Sequence, residues 1–320
     1  MVSAPVHFLP ELKMEMKKEF ECTFAYGSGR DETETLLKEN EFDAWLVSPC
    51  PTYFIDPPML DLCLSLKMVA TPSTGNNHLD IKYLYKKGIE FFCLKGTDIV
   101  NTIRASSEFT FNLMISTIRK TPFAFDAVRS GNWRNEEDRF RGRELSDLSL
   151  GVIGYGRIGS NLSRYSLAFG MNVIAYDPHV LIEEVGVNQT DTLDDLLSEA
   201  NVVAVCVHLD DETYKMVNAE MFEKMQDGVY FVNTSRGDIV DETALLKYLK
   251  NGKIEAAGLD VIGGELSGDI NDHTLVQYAR ENDNLIITPH MAGLTFESEE
   301  KAQTAAFHAI RDYFKLIKKD

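Results

Sequence analysis

The stretch GVIGYGRIG, residues 151–159, decides the fold. An apolar run that begins at Leu148, LSLGVIGY, leads into it, and a helix-like segment opens at Arg157. The next apolar run, NVIAYD, closes on Asp177, 18 residues beyond Gly159. A buried strand, a glycine turn, a helix and an acidic strand end in this order form the dinucleotide-binding fingerprint. In that reading Gly154 makes the tight turn, and Gly156 lets a pyrophosphate approach the backbone at the helix start, beside Arg157 and Ile158. Gly159 allows close packing of helix on strand. Asp177 accepts from the adenosine ribose hydroxyls and opposes a 2′-phosphate. No Arg follows it in PHVLI, so NAD is expected over NADP.

Outward from this point, apolar runs alternate with helical patterns in both directions. After it come VVAVCV, GVYFVN, AAGLDV and LIITP, which with LGVIGY and NVIAYD make six expected strands. Helices are expected near Ile158 to Phe169, Leu193 to Ala200, Ala219 to Met225 and Asp241 to Asn251. Asp241 reads as an N-cap, Val240 and Leu245 as a hydrophobic staple across it, and Gly252 as the stop. Before the motif, VHFL, CTFAY, AWLVS, MVATPS and IEFFCL alternate with helical stretches, and a long helix from about Ile103 to Arg119 joins the two series. Continuous apolar strands alternating with helices predict parallel, doubly wound sheets. The closing helix, Phe296 to Lys319, is expected to cross back to the first series.

The chain has 320 residues, room for two domains. With 32 basic against 50 acidic residues its net charge is −18, which repels phosphate backbones and argues against nucleic acid or an anionic membrane as partner. No apolar run approaches the roughly 20 residues that span a bilayer. Five widely spaced cysteines suggest neither a disulfide framework nor a metal site, and point to a reducing, cytoplasmic setting.

Five motifs in order resemble the D-isomer-specific 2-hydroxyacid dehydrogenases, a family that includes D-lactate, glycerate and phosphoglycerate dehydrogenases. They are STGNNHLD at Ser73, GVIGYGRIG at Gly151, VNTSRGDIVDETAL at Val232, GLDVIGGE at Gly258 and ITPHMAGLT at Ile287. The resemblance runs from about Met68 to Phe314. It implies a Rossmann coenzyme domain, residues 105–294, inserted in a flavodoxin-like catalytic domain, 1–104 plus 295–320, with substrate in the cleft between them. It further implies catalytic roles for Arg236, Glu265 and His290. Cofactor contacts would fall at Val207, Thr213, Thr234, Ser235, Arg236, Asp260, His290 and Ala292. Backbone amides at Thr74, Gly75 and Asn76, with Arg236, would bind the substrate carboxylate. The partner is then a small 2-hydroxyacid or 2-ketoacid, and the chain is expected to form a homodimer, with Trp133 and Arg134 in the subunit contact.

The three residue types suit the chemistry on their own terms. Oxidising a secondary alcohol needs a base for the hydroxyl proton while hydride leaves for the nicotinamide, and reduction needs the same group as an acid. His290 serves both directions. A carboxylate at Glu265 fixes the ring tautomer and stabilises imidazolium. Arg236 offers a planar fork for an α-carboxylate.

Other residues carry less. His208 reads as a loop histidine after VVAVCV, where the family usually has proline, and His78 as a turn organiser. Leu266 follows Glu265 where the family often has proline. Phe109 replaces a commoner histidine, and Pro49 with Cys50 occupies a loop that often helps select substrate. These departures leave the substrate open. Two rival readings are a non-catalytic NAD(H)-sensing corepressor and a phosphite or one-carbon acid dehydrogenase; no metal site is expected.

Overall fold

The computed structural model describes residues 1–134, 136–266 and 269–317. The chain divides into two compact units, residues 1–103 with those from Thr295 onward, and Arg104–Leu294.

The first unit opens with α1 (Pro10–Glu19) and α2 (Arg30–Glu39), followed by β1 (Ala44–Leu46), α3 (Pro57–Leu60), β2 (Met68–Ala70), α4 (Ile81–Lys86) and β3 (Glu90–Phe92). The strands pair in parallel in the order β1-β2-β3. Val2 extends this sheet by bridging both Leu46 and Phe24, so the spatial order is Phe24, Val2, β1, β2, β3. This is the 2-1-3-4-5 order of flavodoxin-like sheets. The strand expected at VHFL is instead displaced to Val2, because Pro5 has no N–H for a ladder and Pro10 starts α1. At CTFAY only Phe24 pairs. The unit closes with α12 (Phe296–Ile317), whose Ala306, Phe307, Ile310 and Phe314 share a core with Val2, Leu46 and Met68. Lys318 and Lys319 of the expected last helix lie outside the described residues.

The second unit begins with α5 (Ala105–Arg119) and α6 (Thr121–Arg129). Lys120, in the left-handed region at φ 53°, separates them, and Pro122 in the first turn of α6 seals the break. Then follow β4 (Ser149–Ile153), α7 (Arg157–Ala168), β5 (Asn172–Tyr176), β6 (Val187–Gln189), α8 (Leu193–Glu199) and β7 (Val202–Val205). The last elements are α9 (Ala219–Lys224), β8 (Val229–Asn233), α10 (Glu242–Lys250), β9 (Ile254–Leu259), α11 (Thr274–Ala279) and β10 (Leu285–Ile287). The sheet is parallel throughout, in the order β10-β9-β8-β7-β4-β5-β6. It has seven strands, one more than expected, since β6 is a three-residue edge strand with one buried side chain and carries no readable periodicity.

Both faces of this sheet are covered, which is why its strands are apolar throughout. Alternate residues diverge: Val203 and Val205 pack with Leu196, Phe222 and Leu245 of α8, α9 and α10, whereas Val202 and Ala204 pack with Leu113 and Met114 of α5 and Leu162 of α7. At α10 the Asp241 side chain accepts from the amides of Thr243 and Ala244, Val240 and Leu245 are buried in one core, and Gly252 takes φ 78° past the end. The chain order reverses between β4 and β7. Crevices outside the carboxyl ends of strands at such a switch point are where open α/β sheets bind ligands.

Candidate active site

The glycine turn lies at that switch point. Gly154 follows β4 with φ 92°, and a Cβ there would fall 2.7 Å from Val207 Cγ1 and 2.9 Å from the Cys206 carbonyl, both just beyond β7. Gly156, the N-cap of α7, has open space where a Cβ would project. A Cβ on Gly159 would meet the Gly154 carbonyl at 2.1 Å, so only glycine lets α7 sit this close. The three positions therefore supply a turn, an open approach and a close packing. Arg157 and Ile158 begin α7 beside them, and burial lowers the Arg157 guanidinium from its ordinary value. Asp177, just past β5, accepts from Tyr155 N at 2.8 Å and from His179 N at 2.9 Å. Those bonds tie the carboxylate to the turn itself. A cradle left open at Gly156, rimmed by helix amides and a fixed carboxylate, fits a dinucleotide pyrophosphate and ribose.

Three loops carry the remaining candidates, at the carboxyl ends of β8, β9 and β10. After β8, the buried Asn233 side chain accepts from Ser235 N and donates to the Arg236 carbonyl, both at 2.9 Å, and so shapes the Arg236 turn. Arg236 is half-buried and its Nη1 donates to the Ser235 carbonyl. The next residue, Gly237, is pressed against the loop after β9: an added Cβ would lie 1.9 Å from the Ile262 carbonyl carbon. The Arg236 loop and the loop leading to Glu265 thus meet backbone to backbone.

His290 follows β10. Its Nδ1 lies 2.9 and 3.0 Å from the two Glu265 oxygens, with the side chains 32% and 22% exposed. With the carboxylate accepting at Nδ1, the ring's Nε2 is the atom left for proton exchange. His290 takes φ 53°, a conformation that costs on the order of 1 kcal/mol or more and persists only where neighbours enforce it. Asp260 enforces it. Fully buried, it accepts from Met291 N at 3.0 Å, from Ala292 N at 2.8 Å and from Thr288 Oγ1 at 2.5 Å, while its carbonyl accepts from His290 N at 2.9 Å.

The other expected contacts fall in two groups. Ser235 and Val207 border the switch-point crevice, with Ser235 Oγ donating to the Val205 carbonyl. Thr213 Oγ1 donates to the His208 carbonyl at 2.6 Å and braces the loop after β7, and its amide holds Asp210 below the ordinary carboxylate range. Thr234, in contrast, turns its hydroxyl into the core against Thr110 at 2.6 Å, leaving only its backbone to face a ligand. In the first unit Thr74, Gly75 and Asn76 form a partly exposed loop after β2, in which Ser73 Oγ donates to the Gly75 carbonyl. His78 is buried against Thr71 Oγ1 at 3.2 Å, a turn-organising place. Asn233 was missed by sequence reasoning; an Asn ending an apolar strand before a polar turn is the signal that finds it. Among the described residues no cluster of three or more His, Cys, Asp or Glu is placed to hold a metal.

Known proteins resemble this chain. The model of the D-isomer specific 2-hydroxyacid dehydrogenase NAD-binding domain matches residues 111–292, more than half of the chain. A hydroxypyruvate reductase of Thermotoga maritima is 34% identical over 241 residues, covering 74% of each chain. A D-3-phosphoglycerate dehydrogenase of Archaeoglobus fulgidus is 36% identical over 248 residues, 77% of this chain and 45% of that longer protein. The structure of a D-lactate dehydrogenase from Aquifex aeolicus, complexed with NAD and lactic acid, superposes with a TM-score of 0.81 at 31% identity, covering 98% of this chain and 94% of that one. The chain belongs to the D-isomer-specific 2-hydroxyacid dehydrogenases, oxidoreductases that use NAD.

Proposed function

We propose that this enzyme interconverts a small D-2-hydroxyacid and its 2-ketoacid, with His290 as acid and base, Glu265 as its partner and Arg236 as the carboxylate clamp. The observation that carries the reading is the Glu265–His290 pair, held on a strained loop beside the turn that bears Arg236.

In oxidation the C2–H bond breaks as hydride and the hydroxyl proton passes to His290 Nε2, leaving a ketone; reduction reverses both transfers. Bound NAD supplies the hydride acceptor, and Gly154, Gly156, Gly159 and Asp177 would hold it. Glu265 keeps the His290 ring in the Nδ1–H tautomer and in one orientation. Arg236 can grip a carboxylate through two parallel bonds and polarise the adjacent carbonyl. Backbone amides of Thr74, Gly75 and Asn76 would bind the substrate carboxylate.

We further infer a homodimer in the cytoplasm. Phe125 and Val128 on α6, with Trp133 just beyond, are more than half exposed, which is costly for an uncovered surface. Five cysteines outside any disulfide suit a reducing compartment. No described helix is long and apolar enough to cross a membrane. A turnover screen with NADH against pyruvate, glyoxylate and hydroxypyruvate, run on wild type and Arg236→Lys, tests the central reading. Wild type should reduce at least one and the Lys variant should lose most of that activity, because a point charge cannot replace a bidentate fork. Equal activity of the two proteins on every accepted acid would remove Arg236 from the clamp.

A further inference from the structure

Glu265 sits two residues beyond a glycine gripped through both its N–H and its carbonyl. The Gly263 N–H donates to Glu242 Oε1 at 2.6 Å, and the Gly263 carbonyl lies 3.2 Å from His273 Nε2. The same ring nitrogen is 3.2 Å from Glu242 Oε2, so Glu242 and His273 close a ring around Gly263, one on its N–H and the other on its carbonyl. Two acceptors face Nε2, which must therefore carry the proton. Nδ1 meets a donor, the Leu275 N–H at 3.3 Å, and is bare. The His273 tautomer is thus fixed from both sides. Both side chains are sheltered, at 19% and 23% exposure. Burial raises the Glu242 carboxyl from its ordinary value, against the pull of the Gly263 N–H and of His273. Beneath the turn, Gly237 closes off movement toward β8.

We infer that Glu242 and His273 are positioning residues for the reaction: by clamping Gly263 they set where Glu265 stands, and through it the orientation of the His290 ring. This rests on the reading of His290 as acid and base. Neither residue touches the reacting atoms. Their spacing in the chain hides the link, since Glu242 opens α10 and His273 caps α11.

His273 has two tasks that substitution can separate. Asn can offer an oxygen near the Nδ1 position and keep the α11 cap, but it is too short to reach Gly263. Gln places an amide N–H near the Nε2 position and keeps the clamp without the cap. The experiment measures kcat for the 2-ketoacid reduced fastest among pyruvate, glyoxylate and hydroxypyruvate, NADH affinity by fluorescence, and Tm. His273→Asn should keep NADH affinity and Tm and lower kcat by roughly ten- to hundredfold, the scale of a displaced catalytic group. His273→Gln should lower Tm and restore most of kcat. In a Glu265→Ala background, His273→Asn should add little, because the acceptor it positions is gone. If His273→Asn does not fold, Glu242→Ala is compared in the same two backgrounds, with Asp241 still capping α10. The inference is overturned if His273→Asn, or Glu242→Ala in its place, keeps wild-type kcat or loses the same factor in both backgrounds. His290→Ala separates the two levels. If that variant retains turnover, the reading of His290 itself fails; if it is inactive while His273→Asn is fully active, only the clamp fails.

Discussion

Glu265 accepts from His290 Nδ1 with both carboxylate oxygens, at 2.9 and 3.0 Å, across 25 residues of sequence. A symmetrical acceptor of this kind holds the ring in plane and in one tautomer. Replacing Glu265 by Gln keeps an acceptor and removes the charge. Glu265→Gln should therefore retain activity, whereas Glu265→Ala, which removes the acceptor, should lower kcat for 2-ketoacid reduction and leave NADH affinity unchanged. Steady-state rates of wild type and both variants, with NADH titrated by fluorescence, check this. Wild-type kcat in Glu265→Ala would break the functional link between the two residues.

Asp177 is fixed by the amides of Tyr155 and His179, so it cannot swing away from a phosphate placed on the adenosine ribose. NADH should bind more than tenfold tighter than NADPH, about 1.4 kcal/mol. Fluorescence titration of both reduced cofactors measures the ratio, and equal affinities would contradict it.

Asp260 spends both carboxylate oxygens on the loop that carries His290. An amide cannot accept at both positions, so Asp260→Asn leaves at least one buried N–H without an acceptor. The expected cost is about 1–3 kcal/mol of stability, together with reduced kcat as the strained His290 conformation relaxes. Denaturant unfolding and turnover on the same preparation test both parts; unchanged values of each would show that the loop holds itself.

Cys206 follows β7, and burial pushes its thiol from 9.0 up to about 12. A folded value above the unfolded one means that the thiol form is favoured by folding below about pH 9, and that this contribution fades as pH climbs from 9 toward 12. At pH 8–9 Cys206 should stay protonated and react with iodoacetamide far more slowly than the exposed Cys50, as peptide mass spectrometry would show. Equal labelling rates would contradict the burial.

What the sequence revealed and what it hid follow from the range of the interactions. Gly154, Gly156 and Gly159 were legible because each answers to backbone geometry within one strand-turn-helix unit. Arg236, Glu265 and His290 were legible as loop residues at strand ends, within motifs that match a family. The bonds that fix them were not. Gly263 reaches Glu242 across 21 residues and Asp260 reaches Ala292 across 32, and no local pattern encodes such pairs. Asp260, expected as a cofactor contact, also organises the His290 loop, a role no local pattern announces. Thr234, expected in the same place, is drawn by Thr110 into the core. At the fold level β6 and the pairing of Val2 went unread because strands of one to three residues have no period to detect.

If proton transfer rests on His290 and cofactor binding on the glycine turn and Asp177, His290→Ala separates the two when NADH affinity and kcat for 2-ketoacid reduction are measured on one protein. His290→Ala should keep wild-type NADH affinity with kcat lowered by about 10²–10⁴-fold. A variant that binds NADH and turns over at the wild-type rate would contradict it.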